Sequence, residues 1–263
     1  MKNIIVCMKQ VLDPEAPLSL FKIDSGAKEA IMPNATPPVL SPFDENALEA
    51  ALQIKDTGPA TITVLSLGKK LTRAVVRASL AAGADRLFLL EDQSFSNFDT
   101  ALTAQALTAA IRKIGQYDLI LCGLQAADTN AGQVGTGIAS LLGLPCITFA
   151  RKVQFNEDGI QVEKVVPDGY EVISVPAPAV VTVSYEVGAL REPGVEAFMA
   201  AGKKPMTVWN AQALGIEPAN SSLTSFVRMY PPAYSSQCEF SESPGPADKA
   251  AWLVARLKDT KVI

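Results

Sequence analysis

Between Asn3 and Phe149 the chain alternates short apolar runs with longer stretches at helical spacing, and this alternation limits the fold more than any other feature. The apolar runs are Asn3–Met8, Thr61–Leu67 (TITVLSL), Leu87–Leu90, Leu119–Cys122 and Cys146–Phe149. Their shortness and their Val, Ile and Leu content fit strands buried on both faces. The segments between them read as helices. Ser41-Pro42 opens the first, with Ser41 as N-cap, Pro42 at the first helical position and Asp44 placed to act back on the cap. Phe43, Ala47, Ala51 and Ile54 form its apolar stripe, and Gly58-Pro59 stops it. A second helix spans Leu71 to Ala82 before Gly83, and a third begins at Asp99 or Thr100 and ends at Ile114 before Gly115. Strands joined through helices form βαβ crossovers, so the expected fold is α/β: a doubly wound, mostly parallel sheet.

From Arg151 the period changes. Lys152–Phe155 and Ile160–Val166 flank an Asp158-Gly159 turn, which predicts an antiparallel hairpin extension of the sheet. Tyr170–Val175 and Ala179–Ser184 read as further strands, and Arg191–Lys204 as a Pro-Gly turn with a short helix. Weaker strand signals fall around Phe21–Ile23 and Ala30–Met32. The expected organisation is an α/β domain over residues 1–205 and an irregular C-terminal arm over 206–263, with one helix near Ala247–Leu257. That arm is too aperiodic to build its own core, so it is expected to lie on the domain or on another chain, with Trp209 and Trp252 as packing anchors.

Composition excludes several functions. Apolar residues make up 48% and charged residues 19%, as in a folded protein, and the formal charge of -4 offers no basic surface for nucleic acid. No run approaches the ~20 apolar residues of a membrane span, so no membrane insertion is expected. The start, MKNIIVCMKQ, reads as a first strand and not a signal segment, which points to a cytoplasmic protein. Cys7, Cys122, Cys146 and Cys238 include no C-x-x-C pair, and no zinc or iron–sulfur spacing is present. The first three lie in strand contexts that favour reduced, buried thiols. There is no histidine, which removes imidazole-based nucleophile pairs, metal ligands and proton shuttles. Carboxylate or lysine chemistry stays open.

The stretch LILCGLQAADTNAGQVG poses the functional question. A core strand enters a loop, Gly123 to Gln133, that holds no large side chain apart from Leu124 and Gln125. Val134, Ile138, Leu141 and Leu142 then take up helical spacing. The helix is expected to start near Asn130, as N-cap, with Gln133 as its capping-box partner. Free N–H groups at that end favour phosphate, and Ala131, Gly132 and Gly135 let a ligand approach the backbone. A tight βα turn packed against its neighbour would use the same small residues. Neither a P-loop nor a G-x-G-x-x-G order occurs, so Mg-assisted phosphoryl transfer is not expected. In a parallel sheet the loops after Met8, Leu67 and Cys122 share one rim, where ligands bind. Asp128 reads as a loop hydrogen-bond acceptor before a catalytic carboxylate. Lys9 reads equally as a phosphate partner or a solvated charge.

Residues 122–135, CGLQAADTNAGQVG, resemble the nucleotide loop of the electron transfer flavoprotein β-subunit family, where G-x-Q-A-x-D leads into x-Q-x-G at a helix start. VCMKQVLDP, SPFDENALEAAL, SLAAGADRLFLLED and PAVVTVSYEVGALREP are similar to further family blocks, in the same order. The resemblance implies a partner α subunit and a heterodimer that carries FAD exposed to dehydrogenases such as acyl-CoA dehydrogenase. It implies an electron-carrier subunit that is not itself an enzyme, holding AMP, or a second FAD if the complex bifurcates electrons. Carried over by motif, the nucleotide would touch Cys7, Lys9, Ser41, Pro42, Phe43, Asp44 and Leu67. It would also touch the loop residues Gly123, Leu124, Gln125, Ala126, Asp128, Thr129, Asn130, Ala131, Gly132, Gln133 and Val134. In that reading Gln133 and Val134 face phosphate, while Cys7 and Leu67 flank the adenosine. Arg191 and Val195 align with a docking loop whose apolar side chain enters a dehydrogenase groove. The competing function is a stand-alone adenine-nucleotide sensor or ATP-using enzyme on the same sheet.

Overall fold

The apolar runs become the middle of a nine-stranded sheet in the computed structural model, which describes residues 1–24, 26, 28–32, 36–97, 99–217, 222–224, 227–230 and 238–263. In chain order the strands are β1 (Lys2–Cys7), β2 (Gln10–Val11), β3 (Lys22–Asp24), β4 (Glu29–Ile31), β5 (Val39–Leu40), β6 (Ala60–Gly68) and β7 (Arg86–Glu91). They continue as β8 (Leu119–Gly123), β9 (Cys146–Asn156), β10 (Gly159–Val166), β11 (Gly169–Val175), β12 (Ala179–Val183) and β13 (Met206–Trp209). The helices are α1 (Pro42–Thr57), α2 (Arg73–Ala82), α3 (Thr100–Ile114), α4 (Val134–Leu142), α5 (Val195–Ala201) and α6 (Pro246–Asp259).

The sheet runs β11-β10-β9-β12-β8-β1-β6-β7-β13. Every pairing from β9 through β12 to β13 is parallel, and the β9–β10–β11 edge is antiparallel. The α/β expectation and its hairpin extension are both met. Alternate side chains of each strand go to opposite faces. Ile4 and Val6 of β1 join one core with Leu48 and Ala51 of α1 and Val76 and Leu80 of α2. Ile5 and Cys7 join a second core with Leu107 and Ile111 of α3 and Ile138 of α4. From β1 the chain goes to β6 and β7 on one side, then returns to β8 on the other. The boundary between β1 and β8, where Cys7 is the register partner of Cys122, is therefore the switch point of the sheet.

Three expectations need correction. The two runs after Pro145 are one strand: β9 continues through Arg151 into the hairpin, with a register shift against β12 and Phe149 at φ 61° where it bends. Met206–Trp209, expected in the C-terminal arm, is instead the edge strand β13, paired with β7. Trp209 holds it there, its ring 4.7 Å from that of Phe88 and under the Lys113 ammonium at 4.8 Å. Cys146 is exposed, unlike the buried Cys7 and Cys122.

The chain forms two compact units, Met1–Met229 and Tyr230–Ile263. The second contains α6, where Arg256 donates to Glu239. Among the described residues no helix is long and apolar enough to cross a membrane.

Candidate functional site

The carboxyl ends of β8 and β1 flank the switch point, and one buried carboxylate holds their loops together. Asp44, only 7% exposed, accepts from the Lys9 N–H at 2.7 Å and from the Gly123 N–H at 3.1 Å. It does not act back on the cap as expected. Ser41 is the N-cap of α1 without a side-chain capping bond; its hydroxyl accepts from the Ala127 N–H at 3.3 Å, and its own N–H donates to the Lys9 carbonyl. The start of α1 thus ties the β1 loop to the β8 loop. Burial pushes the Asp44 carboxyl up to about 7, against the opposing pull of the Lys9 and Gly123 N–H groups and the Lys9 charge; the Asp128 charge adds to the rise.

Lys9 and Asp128 form an ion pair, Nζ to Oδ2 at 2.6 Å, which joins the same two loops at the surface. Asp128 therefore serves a neighbouring loop and not its own backbone. Beneath the loops, the neighbouring Cys7 thiol and burial hold the Cys122 thiol well above the ordinary thiol range. Leu67 and Val134 pack partly buried on the same core.

The bare loop divides into a packing part and an open part. A Cβ on Gly123 would lie 2.5 Å from Asp44 Oδ1 and 2.6 Å from the Phe43 carbonyl carbon, so α1 can approach β8 only because that atom is missing. Gly135, expected to face a ligand, is buried instead, and a Cβ there would meet Thr182 Cγ2 at 2.6 Å. Residues Asp128 to Gln133 are exposed. Within that stretch Asn130 at φ 50° and Gly132 at φ 63° take left-handed backbone, and a Cβ on Gly132 would meet nothing closer than 3.5 Å.

The helix start is also corrected. α4 begins at Val134 with Gln133 as N-cap, and Gln133 makes no side-chain capping bond. Its side chain accepts from the Thr100 hydroxyl at 2.7 Å, which joins the starts of α3 and α4. Asn130 lies before the helix, and its side chain accepts from Gln125 Nε2 at 3.1 Å. The first bond of α4 runs from the Gly137 N–H to the Gln133 carbonyl, so the N–H groups of Val134, Gly135 and Thr136 precede the helical ladder. With the helix dipole, such a terminus favours an anion.

The structure brings Lys9, Ser41, Asp44, Gly123 and Asp128 into one bonded rim, with Cys7 beneath it and Pro42, Phe43 and Leu67 on the elements that bound it, while Gln133 is bonded separately to Thr100. Thr100, which bonds Gln133, and Thr182, which crowds Gly135, were not legible; no motif marks a residue that positions its neighbour.

Arg191 and Val195 lie elsewhere, with opposite surroundings. The Arg191 guanidinium is spent on α1: it donates to Glu49 Oε1 at 2.8 Å and Oε2 at 3.1 Å, and to both Asp56 oxygens at 3.1 and 2.8 Å. Burial raises the Glu49 carboxyl, but these bonds win and hold it below its ordinary value. Val195 is 79% exposed, and Phe198 and Met199 share its helical face at 67% and 74%. Those two were missed, although spacing of three and four residues from Val195 is a helical-face signal. An open groove of about 560 Å³, lined by α1, α2 and residues 185–193, adjoins this segment.

The electron transfer flavoprotein domain model matches residues 31–214. A protein of Acetobacterium woodii named Caffeyl-CoA reductase-Etf complex subunit CarD is 36% identical over 266 positions, covering 99% of this chain and 100% of that protein. Electron transfer flavoprotein subunit beta of Clostridium acetobutylicum is 34% identical, with 99% and 100% covered. Protein FixA of Azorhizobium caulinodans is 32% identical, with 94% and 91% covered.

Proposed function

The chain belongs to the electron transfer flavoprotein β-subunit family, and from that premise we propose that it holds an adenine nucleotide on the β8–β1–β6 rim while it helps relay electrons from dehydrogenases. Membership implies a partner α subunit and flavin in the complex. The nucleotide is AMP or a second FAD. The open end of α4 supports this reading most directly: three N–H groups ahead of the helical ladder, beside exposed Asn130, Ala131 and Gly132. The residues present fit an anionic group there, because the nearby Asp128 charge is paired with Lys9 and the buried Asp44 is turned to backbone N–H groups.

In this role the chain's own groups bind and orient. The N–H groups at the start of α4 receive phosphate, and Cys7 and Leu67 give the adenosine an apolar border. FAD, when bound to the complex, supplies the redox chemistry. Val195, Phe198 and Met199 on α5 form the apolar plug for an acyl-CoA dehydrogenase or another enzyme of CoA thioesters. The name of the Acetobacterium woodii relative, which sits in a caffeyl-CoA reductase complex, supports that partner class.

The test is a visible spectrum and acid extraction of the heterodimer purified with its α subunit. One flavin plus AMP, or two flavins, per heterodimer is the expected result; the count decides which nucleotide this subunit holds. A complex with one flavin and no further adenine nucleotide would overturn the proposal.

A further inference from the structure

The segment that carries α5 is anchored at both ends by cations whose partners lie on α1 and α2. At its start the Arg191 guanidinium grips Glu49 and Asp56 on α1, and the Arg191 N–H also donates to Glu49 Oε2 at 3.1 Å. At its end Lys204 Nζ donates to the Leu80 carbonyl in the last turn of α2 at 2.8 Å and to the Ala84 carbonyl just beyond that helix at 2.7 Å. Burial holds the Lys204 ammonium below its ordinary pKa, as expected of a lysine used inside the fold. Between the anchors only Ala201 of α5 is buried, against the core that contains Val76 and Leu80, while Val195, Phe198 and Met199 stand in solvent.

A seven-residue helix is too short to hold its own shape in water. It lies against α2, yet only one alanine is buried in that contact, so its orientation depends largely on its ends. We infer that Arg191 and Lys204 are positioning residues, which set the direction of the Val195–Phe198–Met199 face toward an apolar cavity on a redox partner. The inference rests on the docking role proposed for α5. Arginine suits the first anchor because its planar fork reaches two carboxylates at once; a lysine ammonium is a point charge and cannot keep both pairs in register.

The experiment uses the flavin-loaded heterodimer and a purified acyl-CoA dehydrogenase that reduces the wild-type complex. Arg191→Gln, Arg191→Lys, Asp56→Asn and Val195→Asp/Phe198→Asp are compared for KM and kcat with the heterodimer as electron acceptor. Flavin content and reduction by a small dye, which needs no docking, are measured on the same samples. Both Arg191 variants are expected to raise KM about tenfold with kcat and dye reduction nearly unchanged, as misplacement of a docking element requires. Asp56→Asn, at an exposed position, is expected to raise KM less and gives the reading if an Arg191 variant does not assemble. If the Val195/Phe198 variant raises KM and none of the anchor variants does, the positioning role is overturned while docking stands. If the Val195/Phe198 variant leaves KM unchanged, docking through α5 is wrong and the inference falls with it.

Discussion

Asp44 gives the chain a pH dependence near neutrality that no histidine overlays; burial also raises the adjacent Glu45 carboxyl, in the same direction. With no histidine, no imidazole titrates between pH 5 and 8. The Asp44 carboxyl stands at about 7 in the fold against 3.8 as a free side chain, with burial as the leading cause. Between those values the folded state binds more protons than the unfolded one, so stability falls as pH rises. The cost is absent below the unfolded value and complete above the folded one. At ~1.4 kcal/mol per pH step, the span from pH 5 to about 7 corresponds to roughly 3 kcal/mol. Asp44→Asn is neutral throughout and removes that slope. The amide resembles the protonated acid, which likewise keeps one strong acceptor oxygen for the Lys9 and Gly123 N–H groups. The variant should be close to wild type at pH 5 and more stable than it by roughly 3 kcal/mol at pH 8. Urea unfolding at constant ionic strength, followed by tryptophan fluorescence at four pH values, measures both curves. A wild-type stability that is flat or rises from pH 5 to 8, or a variant that keeps the wild-type slope, would refute the reasoning.

Other perturbations read the same contacts. Gly123→Ala places a methyl within 2.6 Å of Asp44 and Phe43 atoms; the strain should cost about 1–3 kcal/mol and reduce co-purified nucleotide, and an unchanged melting temperature would count against the close approach. Asp99→Ala removes the N-cap of α3, where the carboxylate accepts from the Leu102 N–H at 2.9 Å and also from the Leu223 and Thr224 N–H groups. A loss of about 1–2 kcal/mol in urea unfolding is expected, and a change of only a few tenths would contradict it. Lys9→Gln breaks a solvent-exposed pair and should cost at most about 1 kcal/mol, fading with added salt; a large, salt-independent loss would show that the pair bears more of the rim than its exposure allows.

The central strands were legible because burial on both faces writes itself as continuous apolar residues. Helix ends were legible where side chain and backbone agree, as at Asp99, which caps α3, and Gly115, which ends it. Ser41 and Asp44 read as a capping pair, and the local sequence does fit one. The structure uses both side chains for contacts with residues far along the chain, which local pattern does not encode. The start of α4 was misplaced for a related reason. Asn130 has the chemistry of a cap, but it also tolerates left-handed backbone, and here it serves the turn. β13 was missed because an edge strand of four residues leaves too short a pattern, and its hold comes from Trp209 on Phe88.

The bare loop divides, residue by residue, into a part that packs and a part that stays open. Gly123 and Gly135 are small because α1 and β12 occupy the space a side chain would need. Asn130 and Gly132 take left-handed backbone where the chain turns toward α4, and Gly132 is not crowded by a neighbour in the way Gly123 is. The packing glycines make the open part possible: Gly123 lets Asp44 reach the β8 loop, and that bond sets where the loop leaves the sheet. A site of this kind depends on charge management as much as on space. Asp44 and Asp128 both lie near a terminus suited to anions, yet one is turned to backbone donors and the other is held by Lys9. In the proposed role the rim would offer its N–H groups to a phosphate without a free carboxylate opposing it, and its competence should weaken when either carboxylate is released from its partner.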